Sequence, residues 1–327
     1  MQTAYIYSVS RVNALAQFLL SKTDIERLLV AEPGADLQSA LKETYLAPYV
    51  LRVPNEDLGL AIEQTLIDAK KLIHSIAPDG DMLRVLWVQY DIHNLRAFAK
   101  GLATGLSYEE CTPFLSGRGI YEPEQLHKHV AERSLSSLQA GWQEAFAAAA
   151  ALVEAGELSK VDAVFDELYF KTSTRIVDAG DAFMKQYLGV LIDLYNLKSR
   201  LRRLKNESVE LEPAFVSGGT FGAHQIETMA DVEAIFARFG GEAFWKDALT
   251  YFAEEGNFTR IDAASADYLL RVAKEGSTDM FSSASLVFYY LKCRQAAANV
   301  RAIVVGRNNG LALEDIRANL RMAYVNN

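Results

Sequence analysis

The residues best suited to chemistry in this sequence are acidic and amide side chains spaced three positions apart. Asp91 is followed by Asn94, Asp193 is followed by Asn196, and a third asparagine, Asn299, lies near the C-terminus. Residues three apart share one face of a helix, so a carboxylate and an amide could hold one group together. Catalysis would also need a nucleophile, a metal or a pocket, and none is evident nearby, so we expect no catalytic residue. We predict instead that each Asp–Asn pair bonds to a neighbouring helix end and fixes its register.

A second acidic pair, Asp178 and Asp181, could share a helical face and hold magnesium in an all-α enzyme. A matching second acidic cluster is missing, so helix capping or solvation is favoured, and an enzyme built on these two residues is the alternative. His127 and His129 lie on different faces of a helix, which indicates a surface role rather than a metal site. Neither a phosphate-binding glycine loop nor an H-E-x-x-H motif occurs, so we expect no cofactor, metal or direct nucleotide binding.

The densest positive run of the chain contains Lys198, Arg200, Arg202, Arg203 and Lys205. One interpretation is a solvated helix face whose bases lie near the C-terminal end, where they favour the helix dipole. The other is a docking surface for an acidic partner. Both interpretations stay open at this stage.

Helices must position these residues, because apolar side chains recur at helical spacing along nearly the whole chain. Val12, Leu15 and Leu19 form one such stripe. Asp81 is a candidate N-cap for a long helix that we expect to end at Gly101. No segment alternates between apolar and polar residues over the length of a strand. The sequence therefore predicts an all-α fold.

The three asparagines also mark an internal repeat, since they are 102 and 103 residues apart. Glu109 and Glu314 each follow their asparagine by fifteen positions, and Pro213 matches Pro113. Further matches join "SGRGIY" (116–121) to "SGGTFG" (217–222) and "KVDAVFDELYF" (160–170) to "RIDAASADYLL" (260–270). We predict three similar helical domains, residues 1–117, 118–219 and 220–327, with pseudo-three-fold symmetry in a funnel or cup.

The composition of the 327-residue chain excludes several classes of protein. Its formal net charge of −9 disfavours general nucleic-acid binding, which requires a positive field. Two distant cysteines cannot form a disulfide framework, which fits a reducing cytoplasm. The longest uncharged apolar run, Ala145 to Val153, is far shorter than the roughly 20 residues that span a bilayer.

Taken in order, several segments resemble the C subunits of the V-type (A-type) ATPases and ATP synthases, relatives of the d subunit of the eukaryotic V-type ATPase. They are "YIYSVSRVNALAQFLLSKTDIERLL", "DIHNLRAFAKGLATGLSYEE", "YLGVLIDLYNLKSRLRRLK" and "YYLKCRQAAANVRAIVVGRNNGLALEDIRANL". Together they extend over essentially the whole chain. One departure is Ala296, which stands where the first two copies have Asp91 and Asp193.

This resemblance implies a non-catalytic subunit of the central stalk, peripheral to the membrane on its cytoplasmic face. The three domains would form a socket that links a shaft of D and F subunits to the membrane rotor ring. The socket would pass torque for ATP-coupled proton or sodium transport, and the basic run Arg200, Arg202, Arg203 and Lys205 would help to seat a partner. The alternative is a helical adaptor or scaffold that shares the repeat and has no connection with an ATPase.

Overall fold

The computed structural model describes residues 4–53, 57–205 and 215–327. Within these ranges the chain forms helices and no β-strand, and its only bridge pair joins Ser21 to Asn326. The all-α prediction is therefore confirmed. Pro213, which the repeat matches with Pro113, lies outside the described residues.

The chain divides into two compact units, one made of residues up to Gly80 together with 270–327, the other of residues 81–269. The first unit contains α1 (Ile6–Ala16), α2 (Lys22–Val30), α3 (Ala35–Leu41), α4 (Ala47–Val50), α5 (Leu58–Ile76), α15 (Ala284–Asn308) and α16 (Leu313–Ala318). The second contains α6 (Val85–Ala103), α7 (Tyr108–Cys111), α8 (Pro123–Ala131), α9 (Trp142–Glu154), α10 (Leu158–Asp178), α11 (Ala182–Lys205), α12 (Met229–Arg238) and α13 (Glu242–Glu255). Helix α14 (Thr259–Gly276) runs across the division at Leu269 and Leu270. The three-domain arrangement and its boundaries stay a prediction.

Several helices begin where a side chain replaces the missing hydrogen-bond partner of the first turn. At α2, the Ser21 hydroxyl accepts from the Asp24 N–H at 3.1 Å, and the Asp24 carboxylate accepts from the Ser21 N–H at 2.9 Å. Thr228 and Asp231 make the same reciprocal pair at α12. Such capping boxes satisfy two exposed donors at once and explain why these short polar residues start a helix.

In the second unit, α6 packs against α8, α9 and α10 around a core that contains the fully buried Trp142. The Trp142 indole N–H donates to the Thr172 hydroxyl at 3.0 Å, which satisfies its one polar atom inside the core. Trp245 is equally buried at the start of α13 and donates to the Phe239 carbonyl. Each tryptophan therefore fixes the start of one helix against its neighbours.

In the first unit, α15 packs against α1, α2 and α5, so helices from both ends of the chain share one core. The Asn326 side-chain amide donates to the carbonyls of Ala16 and Leu19 at 2.8 and 3.2 Å. Its carbonyl oxygen accepts from the Lys292 ammonium at 2.8 Å. Asn326 thus closes the C-terminal end of α1, where backbone carbonyls lack helical partners.

Gly101 does not end its helix as the sequence predicts, since α6 continues to Ala103. A Cβ at position 101 would lie 2.6 Å from the Cys111 sulfur, so the glycine permits α7 to pack against α6. Gly306 does the same for α16, because a Cβ there would lie 2.6 Å from Ile316 Cγ1. Both glycines follow their repeat asparagine by seven residues, and both admit a side chain that follows it by seventeen.

Candidate functional site

The three repeat asparagines occupy equivalent places on α6, α11 and α15, and all three are buried. Each side-chain amide exchanges two hydrogen bonds with the main chain of one residue, 20 or 22 positions further along. Asn94 bonds Ser116 (2.9 and 2.8 Å), Asn196 bonds Val216 (2.8 and 3.0 Å), and Asn299 bonds Arg321 (2.8 and 2.8 Å). In each pair the amide NH₂ donates to the carbonyl and the amide oxygen accepts from the N–H.

Asparagine suits this geometry because its short side chain carries a hydrogen-bond donor and an acceptor side by side. A buried peptide group without hydrogen-bond partners would cost about 1–3 kcal/mol, so the amide makes burial of the segment after each helix possible. The sequence predicted bonds to a neighbouring helix end, whereas the partners lie in the segment that follows each helix. The asparagines thus hold a returning segment against its own helix.

The two aspartates hold the same returning segments from one helical turn away. Asp91 accepts from the N–H groups of Ile120 and Tyr121 at 2.8 and 3.1 Å. Asp193 accepts from the Thr220 N–H at 2.8 Å and from the Thr220 hydroxyl at 2.7 Å. A buried carboxylate requires such donors, so both acids are engaged in holding backbone.

A glycine accompanies each aspartate for a steric reason. A Cβ at Gly119 would overlap the Asp91 carboxylate, and a Cβ at Gly219 would overlap the Asp193 carboxylate. In the third copy the aspartate is Ala296, and Tyr324 stands three positions after the bonded Arg321, as Gly119 and Gly219 stand three positions after Ser116 and Val216. Without a carboxylate to receive, a side chain is tolerated there.

Burial raises the pKa of the Asp193 carboxyl, because loss of solvation outweighs the stabilising hydrogen bonds from Thr220 and Phe221. Burial likewise raises the pKa of the Cys293 thiol to about 12. A thiol with that pKa stays protonated near neutral pH and is a poor nucleophile.

The hydrogen bonds correct the repeat alignment by one residue. Ser116 and Val216 occupy equivalent positions, since each is bonded by its repeat asparagine. The segment "SGRGIY" therefore corresponds to residues 216–221 rather than to "SGGTFG". Residue identity favoured aligning the two Ser-Gly dipeptides, whereas the hydrogen bonds make Gly119 equivalent to Gly219 in the repeat.

The second acidic pair separates at a helix junction. Asp178 is the last residue of α10, and Asp181 directly precedes α11. The Asp181 carboxylate accepts from the Met184 N–H at 2.8 Å, the usual bond of an N-cap aspartate. In the described part of the chain, no three His, Cys, Asp or Glu side chains gather closely enough to hold a metal ion.

The basic run at the end of α11 makes contacts within its own unit. The Lys198 ammonium lies 2.8 Å from the Asp262 carboxylate of α14. The Arg200 guanidinium donates to the Glu227 carbonyl at 3.4 Å, and Arg203 also interacts within the chain. These bases therefore join α11 to the helices that follow it.

Lys205 and Arg202 continue these contacts. The Lys205 ammonium donates to the carbonyls of Phe252 and Ala253 at 3.0 and 3.2 Å, in the last turn of α13. A cation at that helix end meets carbonyls without helical partners and favours the helix dipole. The Arg202 guanidinium lies 5.3 Å from the ring centre of Phe258, within cation–π distance. Arg202 and Arg203 remain exposed.

Comparison with known protein families identifies one that matches the sequence of this chain. The model of the ATP synthase (C/AC39) subunit family matches residues 8–319, nearly the whole chain. The chain belongs to the ATP synthase (C/AC39) subunit family. The resemblance to the C subunits of the V-type and A-type enzymes is thereby confirmed.

Three relatives illustrate the breadth of this C/AC39 family. The C subunit of the V-type ATP synthase of Deinococcus radiodurans is 25% identical, over 97% of this chain and 91% of the relative. The C subunit of the V-type sodium ATPase of Enterococcus hirae is 20% identical, over 94% of each. The C subunit of the A-type ATP synthase of Methanocaldococcus jannaschii is 21% identical, over 96% of this chain and 85% of the relative. All three are named as subunits of an ATP-driven or ATP-forming complex.

Sequence reasoning missed the charged contacts between α6 and α10 of this C/AC39 subunit. Arg96 on α6 lies 2.8 Å from Asp166 and 3.4 Å from Asp162 of α10, and Lys100 lies 3.0 Å from Asp162. The signal was present in the matched segments, which put Asp162 and Asp262 at the same position. Among the described residues, no helix of this C/AC39 subunit is long and apolar enough to cross a membrane.

Proposed function

We propose that this C/AC39 subunit is a non-catalytic part of the central stalk of a V-type ATPase or ATP synthase. It would act as a socket between a shaft of D and F subunits and the membrane rotor ring. In that place it would pass torque between ATP chemistry and proton or sodium transport, peripheral to the membrane on its cytoplasmic side. The observation that carries the proposal is the family match over residues 8–319.

Torque transmission favours segments that do not slide along their helices, and the repeat bonds supply such restraint. Each of the three long helices holds a returning segment by a two-bond asparagine contact, and two of them add an aspartate. Buried, fully paired polar groups of this kind specify one arrangement, because any slip leaves donors and acceptors unpaired. Protein cores in general are close-packed and have low compressibility, which suits a part that passes torque.

The partner surface of this proposal includes the exposed bases of the run on α11. Arg200 and Lys205 bond to carbonyls of their own chain, and although Lys205 is also exposed, we take the exposed pair Arg202 and Arg203 as the bases that face a partner. Exposed bases at a rim chiefly raise association rates and salt sensitivity. We therefore place these two at the edge of a partner contact.

The first experiment is co-purification of the tagged subunit from its own organism at low salt. Recovery of D, F and ring subunits supports the proposal, whereas main partners unrelated to an ATPase support the adaptor alternative. A second experiment measures shaft or ring binding after Arg202→Glu with Arg203→Glu, beside Arg238→Glu, a single exposed arginine on α12. Unchanged affinity at low salt, with the melting temperature preserved, would reduce the basic run to a solvated face.

A further inference from the structure

The first unit contains a cavity of about 310 Å³ that the repeat contacts do not use. Helices α1, α4, α5 and α15 line it, together with the residues that follow α1 and precede α4. One of its lining residues, Phe18, is 73% exposed, so the cavity opens to solvent there. A volume of this order is at the small end of the range of small-molecule binding sites.

Most of the lining is aromatic or aliphatic. Four aromatic side chains contribute to it, namely Phe18, Tyr45, Tyr49 and Tyr289. The face of an aromatic ring carries partial negative charge, and clusters of such rings recognise organic ammonium groups. The lining therefore favours a ligand that combines alkyl groups with positive charge.

Asp68 of α5 adds a carboxylate to the same lining. It is half-buried, accepts from the Gln64 amide at 2.9 Å, and also accepts from the Tyr49 hydroxyl. Among the described residues no Lys or Arg lies within ion-pair distance of it, although acids out of water are normally paired with a base. Lys292, beside Cys293 in sequence, bonds to Asn326 instead. The cavity thus has a negative charge without a partner.

A second unsatisfied group belongs to Tyr45. Its hydroxyl is shielded from solvent and has no hydrogen-bond partner in the part of the chain that the structure describes. The other hydroxyls are engaged, since Thr65 donates to the Ile62 carbonyl at 2.7 Å and Tyr289 donates to the Cys293 sulfur. A buried hydroxyl without a partner is uncommon, and a bound water or ligand group normally completes it.

We propose that this cavity binds a small organic ammonium ion, whose charge lies beside Asp68 and whose alkyl groups lie against the aromatic rings. A phosphate or nucleotide would meet the Asp68 carboxylate and no base, because neither Lys nor Arg lines the cavity. A divalent metal ion requires more oxygen ligands than one carboxylate supplies. The inference does not depend on the proposed place of the chain in a V-type enzyme.

The first test is ligand-observed NMR on the purified full chain with tetramethylammonium, choline and dimethylbutanol. The last is the neutral analogue of choline, in which carbon replaces nitrogen. We expect both ammonium ions to bind, and the alcohol to bind roughly tenfold more weakly than choline because only the charge differs. Equal binding of choline and the alcohol, or no binding of either ammonium ion, would overturn the inference.

The second test measures choline affinity in variants of the lining. Asp68→Asn keeps the shape of the side chain and removes its charge, and the control Asp36→Asn removes an exposed carboxylate of α3 in the same unit. We expect a roughly tenfold loss of affinity for Asp68→Asn and no change for the control. Equal affinities of these two variants, with melting temperatures preserved, would refute the site at Asp68.

Phe18→Ala gives an independent measurement if Asp68→Asn fails to fold. Because Phe18 is largely exposed, its loss should leave the fold intact. It removes one ring of the lining, so choline should bind several-fold more weakly. Unchanged choline affinity in this variant would contradict the assignment of the cavity as the ammonium site.

Discussion

The pairing of Asp91 with Gly119 gives a quantitative test of how the returning segments are held. Replacing Asp91 by alanine removes the acceptor of the Ile120 and Tyr121 N–H groups. Replacing Gly119 by alanine puts a methyl group where the carboxylate lies. Both changes act on the same two bonds, so their effects should not add.

The magnitude follows from those bonds. Hydrogen bonds to a charged acceptor contribute about 1.5–3 kcal/mol each, so Asp91→Ala should cost about 4 kcal/mol. Gly119→Ala should cost about 3 kcal/mol, because the carboxylate must leave at least one of its two donors. Independent changes would total about 7 kcal/mol. Once the carboxylate is absent, the methyl group meets chiefly the Tyr121 carbonyl, at 3.1 Å, so the double variant should cost only about 4–5 kcal/mol.

The assay is hydrogen exchange by mass spectrometry on peptides from α6 and α9, which share one core. The free energy of opening of those peptides, measured for the four members of the cycle, gives the coupling. A double variant as unstable as the sum of the single variants would refute the reasoning. A Gly119→Ala variant of unchanged stability would refute it as well. The third copy, with Ala296 and Tyr324, already has the double substitution in natural form.

Three further predictions concern single sites. The folded-state pKa of Asp193 is raised, so its ionisation removes stability as pH rises from about 4 through that pKa. Over that window the unfolding free energy of Asp193→Asn should increase relative to that of the unmodified protein, and a constant difference would contradict this. Asn326→Ala should cost about 2–3 kcal/mol in thermal unfolding, since it releases carbonyls at the end of α1 and the Lys292 ammonium, and an unchanged melting temperature would refute it. Gly101→Ala should gain about 1 kcal/mol of helix propensity and lose about 1–3 kcal/mol to overlap with Cys111. Urea unfolding should thus show net destabilisation that Cys111→Ala relieves, and a stabilised Gly101→Ala would show that α7 shifts freely.

The sequence was sufficient to predict the helices and the equivalence of the three asparagines. Both are local signals, because helical periodicity and a repeated phrase are read within a short window. The partners of those asparagines were not predictable in the same way. Ser116, Val216 and Arg321 share no side-chain property, since each offers only its backbone N–H and carbonyl.

The glycines show the same limit from the other side. Gly101 stands near the end of a helical pattern, where sequence rules predict a C-terminal cap. Its actual role depends on Cys111, ten residues further along, whose sulfur occupies the space of the missing side chain. A glycine can mark a close approach between two segments, but the sequence does not indicate which second segment is involved.

The repeat also accounts for the packing of α1, α2 and α5 against α15. Each long helix needs a set of helices around it, and α6 takes α8, α9 and α10 from the segment that follows it. Around α15 the packing helices include α1, α2 and α5, which lie far before it in sequence. The contacts of Arg317 with Glu26, and of Asn326 with the end of α1, fasten that cover. The third long helix therefore depends on contacts between residues nearly 300 positions apart in sequence.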